Sequence, residues 1–247
     1  MIDILLVGIT GAMGKTILDH LPENMKVVAG VGQGNLNKSK IPVYETFDNI
    51  QETFDVIVDF SHVTLLNDVL EFAQSKKKPL LIASTGLTDQ DHDSIDQASK
   101  FIPIVQSGNY SFGVYALNKA VSLLSEILKD SDIEIIEKHH RYKQDSPSGT
   151  AQMLADEVLK VRHDMNLIYG REGQTGVRNK NDLAIHAIRG GTIVGEHSVL
   201  FALDDELVEI KHQASSKNIF AQGAFKAVRF ILKQPVGRYN LEDVVHG

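Results

Sequence analysis

The segment ILLVGITGAMGKT, residues 4–16, decides the fold of the first part of the chain, because an apolar strand runs there directly into a glycine-rich turn. The apolar run Ile4–Val7 predicts the strand, and Lys15–His20 with its neighbours predicts the helix that follows. The glycines of Gly8–Gly14 permit a tight turn and a close approach of the backbone to another group. Strand, glycine turn and helix in this order predict the first βα unit of a parallel sheet.

The following residues repeat this alternation of short apolar runs and helical stretches. Further strands are predicted at Lys26–Val31, Val56–Asp59, Pro79–Ala83 and Ile102–Gln106. Helices are predicted between them at Thr64–Ser75 and Asp89–Lys100. Strands that alternate with helices indicate the α/β class and a Rossmann-like, doubly wound parallel sheet.

The pattern changes after residue 110. Helices are predicted at Ser111–Leu128, Thr150–Arg162 and Phe220–Leu232, and strands at Asp132–His139, Ala184–Arg189, Gly195–Phe201 and Leu207–Gln213. Several strands in succession predict a second, α+β domain with a mixed or antiparallel sheet. We therefore expect a first domain at residues 1–110, with 219–247 packing back on it, and a second domain at 111–218.

The glycine turn fits one phosphate-binding motif better than another. A P-loop needs four residues between its first glycine and its Gly-Lys-Thr, whereas five separate Gly8 from Gly14 here. The dinucleotide fingerprint G-x-G-x-x-G finds its last two glycines in Gly11 and Gly14, but Ile9 occupies the first position. The spacing G-x-x-G-x-x-G still presents a helix N-terminus to a pyrophosphate. The alternative is an ordinary strand-to-helix turn that only requires glycines.

The end of the second strand bears on which dinucleotide is bound. An acidic residue about 20 positions beyond the turn would bind the ribose of NAD, and Gly30–Gln33 contains none. Lys38 and Lys40 follow a little later. The missing carboxylate removes a barrier to a 2′-phosphate without establishing a preference, so we expect either NADPH or NADH.

The composition excludes several classes of function. The chain has 247 residues, no cysteine and a net charge of −7, which disfavours nucleic acid or an anionic membrane as the main partner. Without cysteine or an H-x-x-x-H spacing we expect no metal, and Ser84, Ser146 and Ser148 lie outside any G-x-S-x-G elbow. No apolar run approaches the roughly 18 residues of a membrane span, and we expect a cytoplasmic protein.

A basic cluster, KHHRYK at Lys138–Lys143, lies at the end of a predicted strand. His139 and Lys143 would share a face if the chain stayed extended. His140 would then face away, unless the strand ends there and the chain turns. The loop QDSPSGTA follows at residues 144–151, and Ser148 or Thr150 can cap the next helix and so create a seat for a carboxylate. These parts suit hydride transfer to an anionic substrate with proton delivery; the alternative is a merely solvated basic face.

Two adjoining motifs, EKHHRYK at Glu137–Lys143 and DSPSGTA at Asp145–Ala151, resemble the signature of the 4-hydroxy-tetrahydrodipicolinate reductase family, formerly called dihydrodipicolinate reductase, of the diaminopimelate route to lysine. The resemblance extends over nearly the whole chain through Gly8–Gly14, Asp59–Ser61, Ser84–Gly86, Ser107–Phe112, Arg189–His197, His212–Ser216 and Phe220–Ala224. It implies hydride delivery from NADPH or NADH to C4 of a small dicarboxylate, with loss of the 4-hydroxyl as water. It also implies a homotetramer formed through the sheet of the second domain, and closure of the two domains on the substrate.

The resemblance also assigns site residues. It implies cofactor binding by Gly8, Ile9, Thr10, Gly11, Ala12, Met13, Ala83, Ser84, Thr85, Ser107, Gly108, Asn109 and Tyr110. It implies that His139 donates or accepts a proton, that Lys143 is the proton donor, and that His140, Gly149 and Thr150 bind the substrate.

Three departures from the family pattern concern the cofactor. Thr10 and Ala83 stand where relatives often carry glycine, which we expect to alter the approach of the backbone to the nucleotide, and Gly30–Gln33 lacks the usual acidic residue. Two other functions stay open. One is action on another small anionic imine or aldehyde, such as aspartate or aspartate semialdehyde, and the other is non-catalytic nucleotide sensing. The His-His-x-x-Lys and Ser-Gly-Thr motifs count against the first, and the presence of both His139 and Lys143 counts against the second.

Overall fold

The computed structural model describes residues 1–34 and 40–247, so Lys38 lies outside the described residues. The chain divides into two compact units, one formed by Met1–Ser111 with Lys217–Gly247 and the other by Phe112–Ser216. These bounds differ by one or two residues from the expected domains. Among the helices of the described ranges, none combines the length and the apolar character that a membrane crossing requires.

The secondary structure follows the predicted order of elements. The strands are β1 Ile2–Val7, β2 Met25–Val31, β3 Val43–Tyr44, β4 Val56–Asp59, β5 Leu80–Ile82, β6 Pro103–Gln106, β7 Asp132–His139, β8 Asn166–Tyr169, β9 Asp182–Arg189, β10 Gly195–Ala202, β11 Leu207–Ala214 and β12 Gly237–Tyr239. The α-helices are α1 Ala12–Asp19, α2 Leu66–Lys76, α3 Asp89–Ala98, α4 Phe112–Ile127, α5 Gly149–Val161, α6 Asn218–Ile231 and α7 Leu241–His246. A 3₁₀ turn, Val63–Leu65, leads into α2.

The first unit contains a parallel sheet of seven strands in the order β3-β2-β1-β4-β5-β6-β12. Its central strands are mostly apolar, and Leu5, Ile57, Leu81 and Ile104 are fully buried. Near-continuous apolar runs are typical of parallel strands that are covered on both faces. This observation confirms the Rossmann-like parallel sheet. The strand order reverses direction at β1, where β4 adjoins the strand that opens the chain.

The second unit contains a five-stranded sheet in the order β11-β10-β7-β9-β8. The central strand β7 pairs antiparallel with β10 and parallel with β9. The sheet is therefore mixed, which is one of the two forms that the sequence predicts. Along β7 the side chains alternate, and Ile133, Ile135 and Glu137 lie on the buried face. The two isoleucines pack in an apolar cluster with residues of α4 and α5, whereas Glu137 places a carboxylate at the end of that face.

Four elements of the described ranges were not predicted: β3, β8, β12 and α7. The strands are only two to four residues long, too short to give a periodic pattern, and each is extended through pairing with another strand: β3 with β2, β8 with β9 and β12 with β6. The helix α7 begins with an Asn240 side chain that accepts hydrogen bonds from the backbone of Glu242 and Asp243. This capping arrangement, rather than an apolar stripe, starts the helix.

Candidate active site

The glycine turn forms at the carboxyl end of β1. Gly8 adopts a φ of +80°, in the left-handed region that favours glycine, and its N–H donates to Val31 O at 2.8 Å. Gly11 caps α1, and its N–H donates to Gly8 O at 3.0 Å. A Cβ on Gly14 would collide with the carbonyl oxygens of Gly8 and Ile9. The turn therefore needs glycine at both ends to bring the N-terminus of α1 against the strand.

The other residues of this turn have different exposures. Gly11 and Ala12 are exposed, Thr10 and Met13 are half-buried, and the side chain of Ile9 is fully buried. The Ile9 side chain fills the space beside Gly30, where a Cβ would collide with it. A Cβ on Gly32 would lie 2.8 Å from Thr10 Oγ1, so Thr10 sits against the end of β2. Gly30 and Gly32 therefore leave room for Ile9 and Thr10 of the glycine turn. This explains why glycines stand in the segment where an acidic residue would bind the ribose of NAD.

The other predicted cofactor segments follow β5 and β6. Ala83–Thr85 and Ser107–Tyr110 leave parallel strands at their carboxyl ends, the same edge of the sheet as the glycine turn. Ligands of such sheets bind at this edge, where the strand order reverses. The fold thus brings all three predicted cofactor segments to one edge of the first unit.

Asp59 ties two loops of this edge together. It is fully buried at the end of β4, where Oδ1 accepts from Ser61 N at 2.8 Å and Oδ2 accepts from Ser84 Oγ at 2.9 Å. Burial raises the pKa of Asp59, and the hydrogen bonds from Ser61 and Ser84 oppose the rise. The Ser84 hydroxyl is therefore engaged in holding the loop.

The segment after β6 is ordered by its own hydrogen bonds. Ser107 Oγ donates to Asn109 O at 2.8 Å, and Asn109 Oδ1 accepts from Ser111 N at 2.8 Å. Gly108 is exposed and Thr85 also faces solvent. Tyr110 is fully buried, with its hydroxyl 2.9 Å from Ile82 O, so only its backbone can line a ligand at the edge.

In the second unit, four hydrogen bonds converge on Glu137 near the end of β7. Its Oε2 lies 2.6 Å from His139 Nδ1 and 2.8 Å from Arg189 Nη1. Its Oε1 accepts from Arg189 Nη2 at 2.7 Å and from Ser148 N at 3.0 Å. Burial raises the pKa of Glu137, but the hydrogen bonds from His139, Arg189 and Ser148 outweigh it and hold the pKa at about 2. The carboxylate is therefore ionised, and His139 Nδ1 carries a proton toward it.

A second histidine lies against the first. The rings of His139 and His197 are 5.2 Å apart and meet edge to face. His197 is buried, and its Nε2 lies 2.9 Å from Ser148 Oγ, which also accepts from Ala151 N. Burial is the main cause that lowers the pKa of His197 to about 4, and the neighbouring His139 adds to it. The imidazole of His197 is therefore uncharged near pH 7 and packs against His139.

The buried His197 should make folding stability depend on pH in mildly acid solution. In the unfolded chain its imidazole takes up a proton near the ordinary histidine pKa of 6.5, and in the folded chain only near 4. Its contribution is therefore complete above pH 6.5 and is lost as the pH falls toward 4. We expect urea unfolding to give a free energy up to about 2 kcal/mol lower at pH 5 than at pH 7 from this residue. His197→Gln should remove that part of the decrease, and an unchanged pH dependence would contradict the assignment.

The basic cluster does not continue as a strand. β7 ends at His139, and the chain turns so that Lys143 N donates to His140 O at 3.1 Å. The chain therefore turns after the strand, which is the second of the two geometries expected for this cluster, and His139 and Lys143 do not share an extended strand face. Lys143 Nζ instead donates to both carboxylate oxygens of Asp145 at 2.8 Å.

The predicted substrate loop starts α5. Ser148, rather than Thr150, is the cap, since its Oγ accepts from Ala151 N at 3.2 Å. Gly149 is exposed, with no atom of the described residues within 4 Å of an added Cβ, and Thr150 is half-buried in the first turn. The first turn of a helix directs N–H groups and partial positive charge outward. His140 is half-buried at the end of β7, and its ring packs 6.2 Å from that of Tyr142.

Four polar residues of this unit were given no role from the sequence: Glu137, Asp145, Arg189 and His197. A signal existed for Glu137, because residues two apart on a strand share a face and Glu137 precedes His139 by two. No local signal links Glu137 to Arg189, which is 52 residues away. Asp145 could have been suspected from its nearness to Lys143 along the chain.

Two models of one protein family match the two halves of the chain. The family model for the dihydrodipicolinate reductase N-terminus matches residues 2–110, and that for the C-terminus matches residues 113–245. The 4-hydroxy-tetrahydrodipicolinate reductase of Caldanaerobacter subterraneus is 41% identical over 99% of this chain and 98% of its own length. That of Clostridium tetani is 42% identical over 100% of this chain and 98% of its own length.

Solved structures of other proteins share the fold of this chain. Dipicolinate-bound dihydrodipicolinate reductase from Paenisporosarcina sp. TG-14 has a TM-score of 0.78 at 21% identity and covers 97% of both chains. Amine dehydrogenase from Mycobacterium smegmatis has a TM-score of 0.66 at 8% identity, covering 98% of this chain and 95% of its own. The shared architecture is thus used by more than one dehydrogenase. With both family models and full-length relatives in agreement, the chain belongs to the dihydrodipicolinate reductase family.

Proposed function

We propose that this chain catalyses the NADPH- or NADH-dependent reduction of 4-hydroxy-tetrahydrodipicolinate to tetrahydrodipicolinate with loss of water, in the biosynthesis of diaminopimelate and lysine. The observation that carries the proposal is at the end of β7, where Glu137 is bonded both to His139 and to Ser148, the N-cap of α5, and where Lys143 follows four residues after His139. That arrangement offers a proton-bearing imidazole, an ammonium and a seat for a carboxylate within one unit.

The first unit has the features that a dinucleotide requires. A Cβ at Gly8 or Gly14 would collide with backbone, so this turn keeps the α1 N-terminus open to a pyrophosphate. The residues that would hold the nucleotide are Gly8, Ile9, Thr10, Gly11, Ala12, Met13, Ala83, Ser84, Thr85, Ser107, Gly108, Asn109 and Tyr110. Ile9 and Tyr110 would act through their backbone, since their side chains are in the core. The bound nicotinamide supplies a hydride.

The second unit would bind the dicarboxylate and manage protons. Gly149 and Thr150 at the start of α5 would hold one carboxylate together with His140. Lys143 would leave Asp145 and donate the proton that balances the hydride, while the 4-hydroxyl departs as water. His139 would donate or accept a proton through Nε2, because Nδ1 is committed to Glu137.

The assembly and location belong to the same proposal. A homotetramer built through the sheet of the second unit, in the cytoplasm, is what family membership leads us to expect. Residues 111–218 would then serve both substrate binding and oligomerisation, and residues 1–110 with 219–247 would bind the nucleotide. Size-exclusion chromatography with light scattering tests the tetramer directly.

The activity is tested by mixing the protein with freshly prepared 4-hydroxy-tetrahydrodipicolinate and NADPH or NADH, and following the nicotinamide absorbance. Oxidation that requires the substrate supports the proposal, and its absence with both nucleotides would sink it. Two controls separate the alternatives. Turnover of L-aspartate with the oxidised nucleotide would indicate a relative acting on another small anion, and tight nucleotide binding without turnover would indicate a sensor.

A further inference from the structure

The buried face of β7 changes from apolar to ionic at one residue. Ile133 and Ile135 are fully buried in the core, and Glu137, next on the same face, is equally buried. A buried carboxylate is costly unless it is paired and hydrogen-bonded. Glu137 meets both conditions, since Arg189 pairs with it through two nitrogens. A buried, fully bonded carboxylate at the end of an apolar face therefore indicates a role other than packing.

We propose that Glu137 is a positioning residue for His139, which it holds in the orientation and protonation pattern that present Nε2 to the substrate. The proposal rests on the proposed function, because it assigns a role toward the imidazole of that site. Glu137 itself does not touch the reacting atoms.

The carboxylate is fixed from four directions. Each oxygen accepts two hydrogen bonds: Oε2 from His139 and Arg189, and Oε1 from Arg189 and Ser148. It cannot rotate without breaking a charged pair, so the 2.6 Å contact to His139 Nδ1 is held in place. A carboxylate on one ring nitrogen dictates which nitrogen carries the proton and leaves the other available.

The space on the other side of the ring agrees with this role. A Cβ on Gly195, in the adjacent strand β10, would lie 3.1 Å from His139 Nε2. Glycine at this position keeps the approach to Nε2 clear, while His197 packs edge-on and limits rotation of the ring. Glu137 therefore holds the imidazole at Nδ1, and Gly195 leaves space beside Nε2.

The same strand supplies a matched control. Glu134 also has two arginine partners, Arg171 and Arg178, and accepts from His186 Nε2 at 2.7 Å. Burial raises the pKa of Glu134, but hydrogen bonds from Arg171, His186 and Arg178 hold it at about 2. An odd spacing of three places Glu134 on the opposite face of β7 from Glu137. Replacing either residue by glutamine removes a similar ionic network, but only one network includes His139.

The test compares Glu137→Gln with Glu134→Gln. We expect Glu137→Gln to lower kcat by about 100-fold or more, as for other carboxylates that orient a histidine, with the KM for the nucleotide unchanged. Glu134→Gln should leave kcat unchanged even if it lowers the melting temperature to a similar extent. In proton NMR, the wild type should show a far-downfield signal from the His139 Nδ1 proton, identified by its loss in His139→Asn. Glu137→Gln should shift or abolish this signal, and Glu134→Gln should retain it.

Equal kcat values in the two variants, or a downfield signal that persists unchanged in Glu137→Gln, would overturn the proposal. If Glu137→Gln does not fold, Glu137→Asp keeps the charge beside Arg189 and withdraws the carboxylate by one methylene. That variant should then show the same loss of kcat and of the signal. If the wild type does not turn over the dicarboxylate, the proposed function fails, whereas the NMR comparison still decides whether Glu137 holds His139.

Discussion

Replacement of Lys143 by alanine should lower kcat by about 10²–10⁴-fold, the range expected when a positioned proton donor is lost. In the free protein the Lys143 side chain is paired with Asp145, and that pairing lowers the pKa of the Asp145 carboxyl. An anionic substrate that replaces Asp145 would bring Lys143 Nζ to the position from which it donates the proton. Nucleotide affinity should change little, because the predicted cofactor segments belong to the other unit.

Lys138→Ala is the matched control for this experiment. Lys138 belongs to the same basic cluster, but it pairs with Glu196 across the strands at 3.5 Å. Its loss should leave kcat near the wild-type value. Steady-state kinetics with NADPH, together with nucleotide binding by fluorescence, gives both readouts. A Lys143→Ala variant that turns over as fast as Lys138→Ala would show that another group supplies the proton.

Replacement of Gly8 by alanine should lower the free energy of unfolding by about 2–5 kcal/mol and weaken nucleotide binding. Two penalties add at this position. The φ of +80° is costly for a residue with a side chain, and a Cβ would lie 2.6 Å from Phe60 O. The strand end of β4 cannot retreat freely, because Phe60 N also donates to Val7 O at 3.0 Å.

Gly86→Ala separates the two penalties. Gly86 has a φ of +75°, but no atom of the described ranges lies within 4 Å of an added Cβ, so only the backbone cost of about 1–2 kcal/mol applies. Urea unfolding of both variants measures the difference. If the two variants lose equal stability, the close approach of Gly8 to Phe60 does not constrain the turn.

The fold of the first unit could be predicted largely from sequence because its signals are local. The predicted strand Val56–Asp59 is based on a short apolar run between Asp55 and Asp59, and the observed β4 has the same bounds. Helix α3 begins at Asp89 as predicted, since Thr88 and Asp91 form a reciprocal capping pair there. β12, in contrast, exists only because it pairs with β6, more than a hundred residues earlier. No local pattern reports such a pairing.

The candidate site likewise has some features that the local sequence predicts and others that depend on residues distant in sequence. Ser148 as a helix cap and His139 at a strand end are local features, and both are found in the predicted places. The environment of His139 is not local: Arg189 arrives from β9 and His197 from β10, the two neighbours of β7. Strand order in a mixed sheet is set by tertiary packing, so the ionic centre around Glu137 becomes visible only in the folded chain.

Asp145 is tethered two residues from Lys143, so it competes for the ammonium at an effective concentration on the order of millimolar. An entering carboxylate must displace it, which lowers the net gain from binding. The same tether returns Asp145 to Lys143 when the product departs. We expect this exchange of partners to hasten product release, so that part of the substrate affinity is traded for faster turnover.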